Sequence, residues 1–397
     1  MSENIYINKF FIAVCKCFIL FFAFNIPNYD FEIRILSNKI IFSNQYNFSN
    51  ISSIYELLND NNITKNKVLL FESFPYHYEC TPGFAKYFID LGFNVDIIIH
   101  DSGISSFYFF EDINKIRFFI FNDIRDIEKY ANYLGNKLLN YNYALIETAV
   151  PIIFPLYKSL KLININHSFF VFHHLEYLKD FSKYVELKKK QLWSLGNFKD
   201  WIQVNPHYFG NIHVKQKNLI TRFFITSTIE RNYEYVISSF EEIRDDNLEF
   251  HVNVIGKWNT FTQHNISEKV KDNFSFKYNV SYSELYNVVN ETDFIIINLE
   301  PHNIKDDEFA KTRVSGSIQL AYGFLKPVII NKKFAAIYKF NSDNSFITNN
   351  CNLTEVMRKA INLSNKQYQK MKQNLKRTAN YIYKNSLKNV NDCIYKS

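Results

Sequence analysis

The sequence predicts an α/β protein built from two doubly wound domains in tandem, with a long helical region at the C-terminus. Continuous apolar stretches of strand length alternate with helical stretches through both halves of the chain. This alternation is typical of parallel β-α-β units whose sheet is covered on both faces. The pattern breaks once, between residues 197 and 221, where Pro206 and Gly210 fall. A chain of 397 residues also suits two domains of about 100 to 200 residues each.

The N-terminal half begins its regular pattern at Val68, after a polar, asparagine-rich stretch. Residues 68–73 predict a fully buried strand, and a loop with Pro82 and Gly83 leads into a helix to Leu91 that Gly92 caps. The predicted elements that follow are strands at 94–100 and 116–121, a helix at 126–141, a strand at 143–149, a helix at 151–160 and a strand at 162–167.

The C-terminal half restarts the pattern with an apolar strand at residues 223–228 and a helix up to Ile243. The predicted elements that follow are strands at 250–255 and 274–278, a helix at 282–290, a strand at 294–298, a helix at 315–324, a strand at 327–331 and helices from Leu353. We therefore divide the chain into domains 1–205 and 206–397. Two such domains that face each other bring the carboxyl ends of both sheets to one cleft, where ligands of open α/β sheets bind.

Glycine is scarce, at nine residues in the whole chain. Neither a G-x-G-x-x-G fingerprint nor a Walker loop occurs, and these are the loops that hold phosphate in dehydrogenases and P-loop NTPases. The sequence therefore argues against both of those enzyme classes. An aromatic content of 18% predicts large packed cores rather than a disordered chain.

Positive charge is concentrated near the C-terminus. The whole chain has a net charge of +7, while residues 354–397 hold ten Lys or Arg residues against Glu355 and Asp392, a local balance of 10 − 2 = +8. The rest of the chain is close to neutral, at 7 − 8 = −1, which argues against a nucleic-acid partner with a dedicated groove. Adhesion of the basic region to an anionic membrane surface and a plain solvated helix face both remain open.

The cysteines and one apolar segment indicate where in the cell the protein is expected. Five cysteines without a C-x-x-C pair or zinc spacing predict reducing surroundings. Residues 10–24 are apolar apart from Lys16, but about 15 residues fall short of the roughly 20 that span a bilayer. This segment is either a buried element or an interfacial anchor. We therefore expect a cytoplasmic protein and leave peripheral attachment at the inner membrane face open.

The stretch from Glu308 to Pro327 holds the strongest signal for a phosphate site. Lys311 and Arg313 lie just before Ser315, Gly316 and Ser317, which open a predicted helix. Small residues at a helix start leave amide groups accessible, and the helix dipole favours an anion there. Plain N-capping by Ser315 is the alternative interpretation.

The order of these motifs resembles the C-terminal, nucleotide-sugar-binding domain of GT-B glycosyltransferases of the kind that build bacterial lipopolysaccharide and capsule. The resemblance covers about residues 204 to 350 and runs through residues 223–232, 254–257, 280–285, 292–296 and 315–328. It implies two Rossmann-like domains and a hexosyltransferase that moves a sugar from a nucleotide-diphosphate sugar to a glycan or glycolipid acceptor. It also implies that the sugar nucleotide is a substrate, with neither a cofactor nor a bound metal needed.

The resemblance implies a donor site with three kinds of contact. Ser315, Gly316 and Ser317 would cradle the diphosphate with Arg231 from the first helix of the domain, and the stretch around Tyr282 would contact the base and ribose. Glu300 and Glu308 are candidates for the sugar hydroxyls. The full set of predicted donor residues is Arg231, Gly256, Lys257, Tyr282, Glu300, Lys311, Arg313, Ser315, Gly316 and Ser317.

Two departures from the family pattern leave other functions open. The later glutamate of the E-x7-E element of retaining enzymes is replaced by an apolar residue near Leu320, and residues 226–228 stand where an arginine is common. The stereochemical outcome is therefore not predicted. A degenerate GT-B scaffold that binds a nucleotide or sugar without turnover is the main alternative, and a sugar-nucleotide epimerase is a weaker one.

The loop after the first predicted strand resembles the first acceptor loop of GT-B enzymes. His77 and Glu79 in this loop are the predicted catalytic residues, because an inverting transfer needs a base for the acceptor hydroxyl. Helix capping by Glu79 and a plain loop histidine are the alternatives. His167 and the adjacent His173 and His174 are further cleft candidates. We expect no metal there, since adjacent histidines on a helix point in different directions.

Overall fold

The structure is a computed structural model, and it describes residues 51–60, 66–74, 77–165, 167–198, 201–213, 215–227, 231, 233–256, 266–349 and 352–396. All of these residues belong to one compact unit, Phe48–Ser397. The apolar segment 10–24 and the predicted donor residue Lys257 lie outside the described residues.

The first sheet is parallel throughout and has the strand order β1-β4-β3-β2-β5-β6-β7-β8 within the described residues. Its strands are β1 (Ile51–Ser53), β2 (Lys67–Glu72), β3 (Asn94–His100), β4 (Ile116–Phe121), β5 (Tyr143–Ile146), β6 (Ser168–Val171), β7 (Leu192–Ser194) and β8 (Ile202–Gln203). The central strand β2 is buried on both faces, and Val68 to Phe71 are fully enclosed. This is why the sequence shows a continuous apolar run there rather than an alternating one.

The second sheet is also parallel, with the order β11-β10-β9-β12-β13-β14 among the residues described. Its strands are β9 (Thr221–Ser227), β10 (Phe250–Gly256), β11 (Phe274–Tyr278), β12 (Phe294–Ile297), β13 (Val328–Asn331) and β14 (Phe346–Thr348).

Helices cover the faces of both sheets. They are α1 (Ile54–Asn59), α2 (Thr81–Asp90), α3 (Ile124–Leu138), α4 (Phe154–Ser159), α5 (Tyr177–Phe181), α6 (Glu234–Asp245), α7 (Tyr282–Glu291), α8 (Ile304–Asp307), α9 (Gly316–Gly323), α10 (Lys332–Ile337), α11 (Leu353–Ile361) and α12 (Asn365–Tyr395). The predicted fold class, two doubly wound parallel sheets followed by a long C-terminal helix, is confirmed.

The last helix spans both halves of the described chain. Ile382 of α12 packs in the core of the second sheet. Further along, the Ser386 hydroxyl accepts a hydrogen bond from the Asn205 amide at 3.0 Å, and the Asn389 side chain donates to the Gln203 carbonyl at 2.9 Å. The end of α12 therefore reaches the first sheet. The division of the chain near residue 205 stays a prediction.

One predicted strand is wrong. Residues 162–167 do not form it: Leu162–Asn164 is a short 3-10 helix, and the strand of this region is β6, which starts at Ser168. Lys161 adopts a left-handed conformation with φ 55° that turns the chain after α4, and the Ser168 hydroxyl closes the turn by donating to the Ile165 carbonyl at 3.2 Å. His167 consequently precedes β6 and lies at its amino end, away from the carboxyl ends of the strands, so it is not a cleft residue.

The other differences are small. The predicted strand 143–149 ends at Ile146, so Glu147 and Thr148 belong to the loop at the carboxyl end of β5. The short strands β1, β7, β8 and β14 were not predicted, because strands of two or three residues lack a readable apolar period. In the described part of the chain, no helix has both the length and the apolar character that a bilayer crossing requires.

Candidate functional site

Loops of the two sheets meet between Glu79 and the start of α9. A carboxylate oxygen of Glu79, which follows β2, lies 3.6 Å from the position that a Cβ atom would occupy on Gly316. The hydroxyl of Tyr282 at the start of α7 donates to the other carboxylate oxygen of Glu79 at 3.1 Å. Burial and the nearby Glu79 raise the pKa of Tyr282, so the phenol keeps its proton and remains a donor.

The amino end of α9 lacks a side-chain cap among the described residues. Ser315 has the extended backbone of an N-cap, yet its hydroxyl caps no amide of the helix. That hydroxyl instead accepts a contact from Nη2 of Arg231 at 3.5 Å, and the Ser317 hydroxyl pairs with that of Thr226 at the end of β9 at 2.9 Å. Plain N-capping by Ser315 is therefore not what the structure shows. Arg231 therefore lies beside the start of α9, and a helix start with a cation next to it favours an anion.

The cations near α9 differ in their surroundings. The Arg231 guanidinium lies over the Phe309 ring at 5.6 Å from its centroid, a cation–π contact that fixes its direction. Arg313 contacts Glu308 at 2.9 Å and also Glu176 of the first half of the chain at 3.7 Å. Arg313 therefore sits where the two halves meet.

Lys311 lies further out than Arg313. It forms an ion pair with Asp307, and its side chain is 69% exposed. An exposed pair of this kind contributes little to stability. The structure therefore brings Arg231 and Arg313 to the cleft side of α9 and places Lys311 on the surface beside it.

Two further predicted donor residues lie at strand ends. Gly256 ends β10, pairs in register with Ser227 of β9, and accepts a hydrogen bond from the Asn279 amide at 3.1 Å. The Glu300 amide donates to Asp306 at 2.8 Å, after β12. Partial burial and the neighbouring Asp306 raise the pKa of Glu300. Both residues stand at carboxyl ends of the second sheet, which is the cleft edge.

His77 and Glu79 form the first-sheet side of the cleft together with His173. The Nδ1 atom of His77 lies 3.8 Å from a carboxylate oxygen of Glu79. The His77 ring stacks on that of His173, with centroids 3.7 Å apart. Nε2 of His173 contacts the Glu147 carbonyl at 3.0 Å, so this nitrogen carries the proton. Burial lowers the pKa of His173 well below its usual range, and its ring stays neutral.

The alternative role of Glu79 as a helix cap does not fit the geometry. The carboxylate points towards Gly316 and Tyr282, and the N-cap position of α2 is Cys80, with no side-chain capping bond. Glu79 is thus directed across the cleft rather than along its own chain.

The second adjacent histidine, His174, points elsewhere. Its ring stacks on Tyr177 at a centroid distance of 5.0 Å and lies 3.6 Å from the Glu176 carboxylate. Burial and the Arg313 charge lower the pKa of His174 to about 4. The described residues contain no group of three or more His, Cys, Asp or Glu side chains placed to hold a metal ion.

Two buried glutamates at the cleft floor were missed from the sequence. Glu72 ends β2 and Glu147 follows β5, and both side chains are fully enclosed. Glu72 accepts from the Thr148 hydroxyl and the Phe74 amide, each at 2.6 Å, and Glu147 accepts from the Thr81 hydroxyl at 2.5 Å. Burial raises the pKa of both carboxyls, that of Glu72 to about 8. The sequence did contain one sign of these residues, since a glutamate at the end of a fully apolar strand is expected to be buried.

The two sides of the cleft can bind an anionic group and a neutral hydroxyl group at the same time. On one side, the amides of α9 with Arg231 and Arg313 can hold an anion such as a diphosphate. On the other side, His77 with Glu79 can accept a proton from a hydroxyl group brought into the cleft. The two sides touch at the contact between Glu79 and Gly316.

Comparisons with known proteins reveal likeness in fold. No family model matches the sequence, and no curated protein matches it. A glycosyltransferase from Rickettsia africae ESF-5 superposes with a TM-score of 0.53 at 14% identity, over 84% of this chain and 100% of that chain. HepE of Anabaena in complex with UDP and glucose gives 0.49 at 9% identity, over 82% and 98%. The S. aureus TarM G117R mutant in complex with UDP gives 0.47 at 12% identity, over 67% and 58%.

The fold likeness agrees with the topology. The Rickettsia structure is covered completely by this chain, and its match extends across both parallel sheets. Two Rossmann-like sheets whose carboxyl ends meet at one cleft, followed by a long terminal helix, give this chain the GT-B fold of glycosyltransferases.

Proposed function

We propose that this protein is a glycosyltransferase that transfers a sugar from a nucleotide-diphosphate sugar to a hydroxyl of a glycan or glycolipid, without a metal ion. The observation that carries the proposal is the meeting of three groups at the start of α9. An uncapped helix terminus, the Arg231 guanidinium and the Glu79 carboxylate of the other sheet converge on Ser315 and Gly316.

The α9 side supplies the donor half of the reaction. As the glycosidic bond breaks, negative charge accumulates on the leaving diphosphate. Fixed amide dipoles and the cations Arg231 and Arg313 stabilise that charge without reorganising, an effect of the oxyanion-hole type. The Ser317 hydroxyl, held by Thr226 at 2.9 Å, adds a donor of fixed direction.

The first-sheet side supplies the acceptor half. In an inverting reaction the acceptor hydroxyl must lose a proton as it attacks the anomeric carbon, and His77 paired with Glu79 is placed to take it. In a retaining reaction the leaving phosphate can take that proton. The neutral His173 stacked on His77 at 3.7 Å orients the ring in either case.

A panel of sugar nucleotides offered to the purified protein tests this proposal. We expect binding of at least one nucleoside diphosphate, and about tenfold weaker binding by Arg231→Ala because a charge-assisted contact is lost. Arg244→Ala is the matched control, since Arg244 is a partly exposed arginine paired with Glu249 at 3.0 Å on the far end of α6. Failure of every nucleotide to bind, or unchanged binding by Arg231→Ala, contradicts the proposal.

A second candidate function is nucleotide or sugar binding without transfer. It is favoured by the absence of the later glutamate of retaining enzymes, since an apolar residue near Leu320 stands in its place. Calorimetric binding of a nucleotide together with the absence of released nucleoside diphosphate, across a set of acceptors, would favour this candidate over a transferase.

We further infer a cytoplasmic location at an anionic membrane surface and a role in making surface glycans of the lipopolysaccharide or capsule type. The support is the long helix α12, whose exposed side carries Lys366, Lys370, Arg377, Lys384 and Lys388 at helical spacing. Such a stripe is attracted to anionic lipid by about 1 kcal/mol for each basic residue near the surface.

A further inference from the structure

Two consecutive aliphatic side chains are exposed in the turn that leads into β9. Leu219 is fully exposed and Ile220 is 48% exposed. Because they precede the first residue of β9, they lie at the amino end of the second sheet, away from the cleft. Within the described parts of the chain, they are the only large hydrophobic residues that are both exposed and adjacent in sequence. Single exposed apolar residues are ordinary on a protein surface, whereas an adjacent pair calls for an explanation.

The fold holds this turn in place from both sides. The carboxylate of Asp293, which is 1% exposed, accepts the Asn218 amide at 3.0 Å and the Arg222 amide at 2.8 Å. These amides flank the exposed pair. The Nζ atom of Lys217 also donates to the Ile361 carbonyl at 2.8 Å. The polar groups around the turn thus point inward to fixed partners, so the exposure of the two aliphatic side chains is built into the fold.

Basic side chains surround the exposed pair. The Gln369 side chain in the second turn of α12 donates to the Lys215 carbonyl at 3.3 Å, so the start of α12 lies beside the turn. Glu291 is the acidic neighbour, and it forms an ion pair with Lys215. The exposed or partly exposed cations of this region are Lys215, Arg222, Lys366 and Lys370. Positive charge therefore predominates next to the apolar pair.

An apolar tip with cations beside it complements the surface of an anionic bilayer. Aliphatic side chains are stabilised at the boundary between headgroups and acyl chains, and Lys and Arg are attracted to anionic headgroups. A protein partner fits less well. Each partner in a stable protein complex buries about 800 Å², and two aliphatic side chains supply only a small part of that area.

We propose that Leu219 and Ile220 insert into an anionic bilayer, with the cations at the start of α12 against its headgroups. The proposal rests on the inferred location at an anionic membrane surface and is independent of the transferase reaction. It adds an apolar anchor to the electrostatic attraction of the α12 stripe. Salt separates the two contributions, because salt screens the attraction between exposed charges and does not screen apolar insertion.

Flotation of the full chain with phosphatidylserine vesicles over a range of salt concentrations tests the insertion. Leu219→Ser/Ile220→Ser should lower the partition constant at least tenfold at every salt concentration, since two aliphatic side chains lose their apolar surroundings. The matched control Leu139→Ser/Ile152→Ser, at exposed aliphatic residues of the first half of the chain, should bind like wild type. Equal partition constants for Leu219→Ser/Ile220→Ser and wild type would overturn the proposal.

A fluorescence measurement reports the depth of the turn directly. The tryptophan introduced by Leu219→Trp should be quenched by brominated lipid in anionic vesicles, measured as the difference from wild type, which has three tryptophans of its own. Leu139→Trp should show no added quenching. The absence of quenching in Leu219→Trp would contradict insertion. A wild-type dimer that dissociates in Leu219→Ser/Ile220→Ser would show that the pair binds a second copy, and would also overturn the proposal.

Insertion and attraction through α12 can fail separately. If Lys384→Glu/Lys388→Glu weakens flotation and Leu219→Ser/Ile220→Ser does not, the insertion is wrong and the α12 stripe stands. The reverse result supports insertion and contradicts the stripe. Wild-type protein that does not float with anionic vesicles at low salt contradicts both, whereas the binding of a nucleoside diphosphate tests the transferase function independently.

Discussion

The imidazole rings of His77 and His173 stack at a centroid distance of 3.7 Å with 13° between their planes. His173 donates through Nε2 to the Glu147 carbonyl and is too deeply buried to take a second proton. Of the two rings, His77 is the one that lies beside the Glu79 carboxylate, at 3.8 Å. The stack gives the two rings different roles, one as a support and one as a candidate base.

Substituting each ring by phenylalanine separates these roles. His77→Phe keeps the stack but removes the group that accepts a proton, so we expect the turnover number of an inverting transfer to fall at least about 100-fold. Nucleotide affinity should stay within about twofold. His173→Phe keeps the stacked support for His77 and should cost much less turnover. Equal losses in both variants would contradict a base role for His77.

Glu79→Gln tests the carboxylate that faces the start of α9. A negative charge 3.6 Å from the Gly316 Cβ position opposes a bound diphosphate, so its removal should tighten nucleoside diphosphate binding about fivefold, or ~1 kcal/mol. Turnover should fall at the same time, because the partner of His77 is lost. Glu268→Gln, at a highly exposed glutamate, is the control. Weaker nucleotide binding by Glu79→Gln would show that the carboxylate contacts the ligand favourably.

Two glycines of α9 make a matched pair for alanine substitution. A Cβ at Gly316 would make only ordinary contact with Glu79, at 3.6 Å, whereas a Cβ at Gly323 would lie 2.1 Å from the Phe209 ring and 2.6 Å from the His207 carbonyl. Gly323→Ala should therefore destabilise the protein by about 1 to 3 kcal/mol. Gly316→Ala should leave the free energy of unfolding within ~0.5 kcal/mol.

Nucleotide binding should distinguish Gly316→Ala and Gly323→Ala as well, and here Gly316→Ala is the variant with the larger effect. The added methyl of Gly316→Ala lies where the diphosphate approaches the helix, so nucleotide binding should weaken at least tenfold. Urea unfolding and calorimetry at one temperature measure both quantities. Full nucleotide affinity in a stable Gly316→Ala protein would place the phosphates elsewhere.

The buried Glu72 predicts a particular dependence of stability on pH. Its carboxyl has a pKa near 8 in the folded protein and about 4.3 when unfolded. Between these values the folded state binds more protons, so this group's contribution to stability declines as the pH rises from about 4.3 to 8. Glu72→Gln, a neutral isostere of the protonated form, should gain stability relative to wild type by more than about 1 kcal/mol between pH 5 and pH 8.

Urea unfolding of both proteins at pH 5, 6.5 and 8 checks this prediction. Glu268→Gln should follow the wild-type curve. A stability difference between Glu72→Gln and wild type that is constant with pH would mean that Glu72 is ionised throughout.

The basic stripe of α12 predicts attachment to anionic vesicles at low salt. The double variant Lys384→Glu/Lys388→Glu reverses two of these charges. Each basic residue near the surface contributes ~1 kcal/mol to membrane binding, so the partition constant of the protein between vesicles and water should fall at least about tenfold. Flotation with phosphatidylserine vesicles measures the effect, and neutral phosphatidylcholine vesicles are the control. Equal flotation of wild type and variant would leave α12 as a solvated helix face.

The sequence predicts most of the central strands because they are buried on both faces. Continuous apolar runs such as Val68 to Phe71 occur where parallel strands need them. The same reasoning fails at residues 162–167, where Leu162 and Ile165 are buried in a tight turn. Apolar residues indicate burial, and they do not distinguish a buried turn from a strand.

In the candidate site, too, some features could be predicted from the sequence and others could not. Ser315, Gly316 and Ser317 could be predicted because a helix start is a local feature of the chain. The contact of Glu79 with Gly316 and the stack of His77 on His173 join residues about 240 and 96 positions apart, and local patterns carry no information on such pairs. Glu147 was missed because the predicted strand ran past its true end at Ile146.

The central claim is that the start of α9 and Arg231 hold the diphosphate of a sugar nucleotide. A crystal structure of the full chain with a nucleoside diphosphate tests it most directly. We expect the phosphate oxygens to lie within hydrogen-bonding distance of the amides at Gly316 and Ser317 and of the Arg231 guanidinium, with the Glu79 carboxylate moved away from Gly316. A diphosphate bound away from α9, or an α9 terminus left without a phosphate contact at saturating nucleotide, would contradict the account.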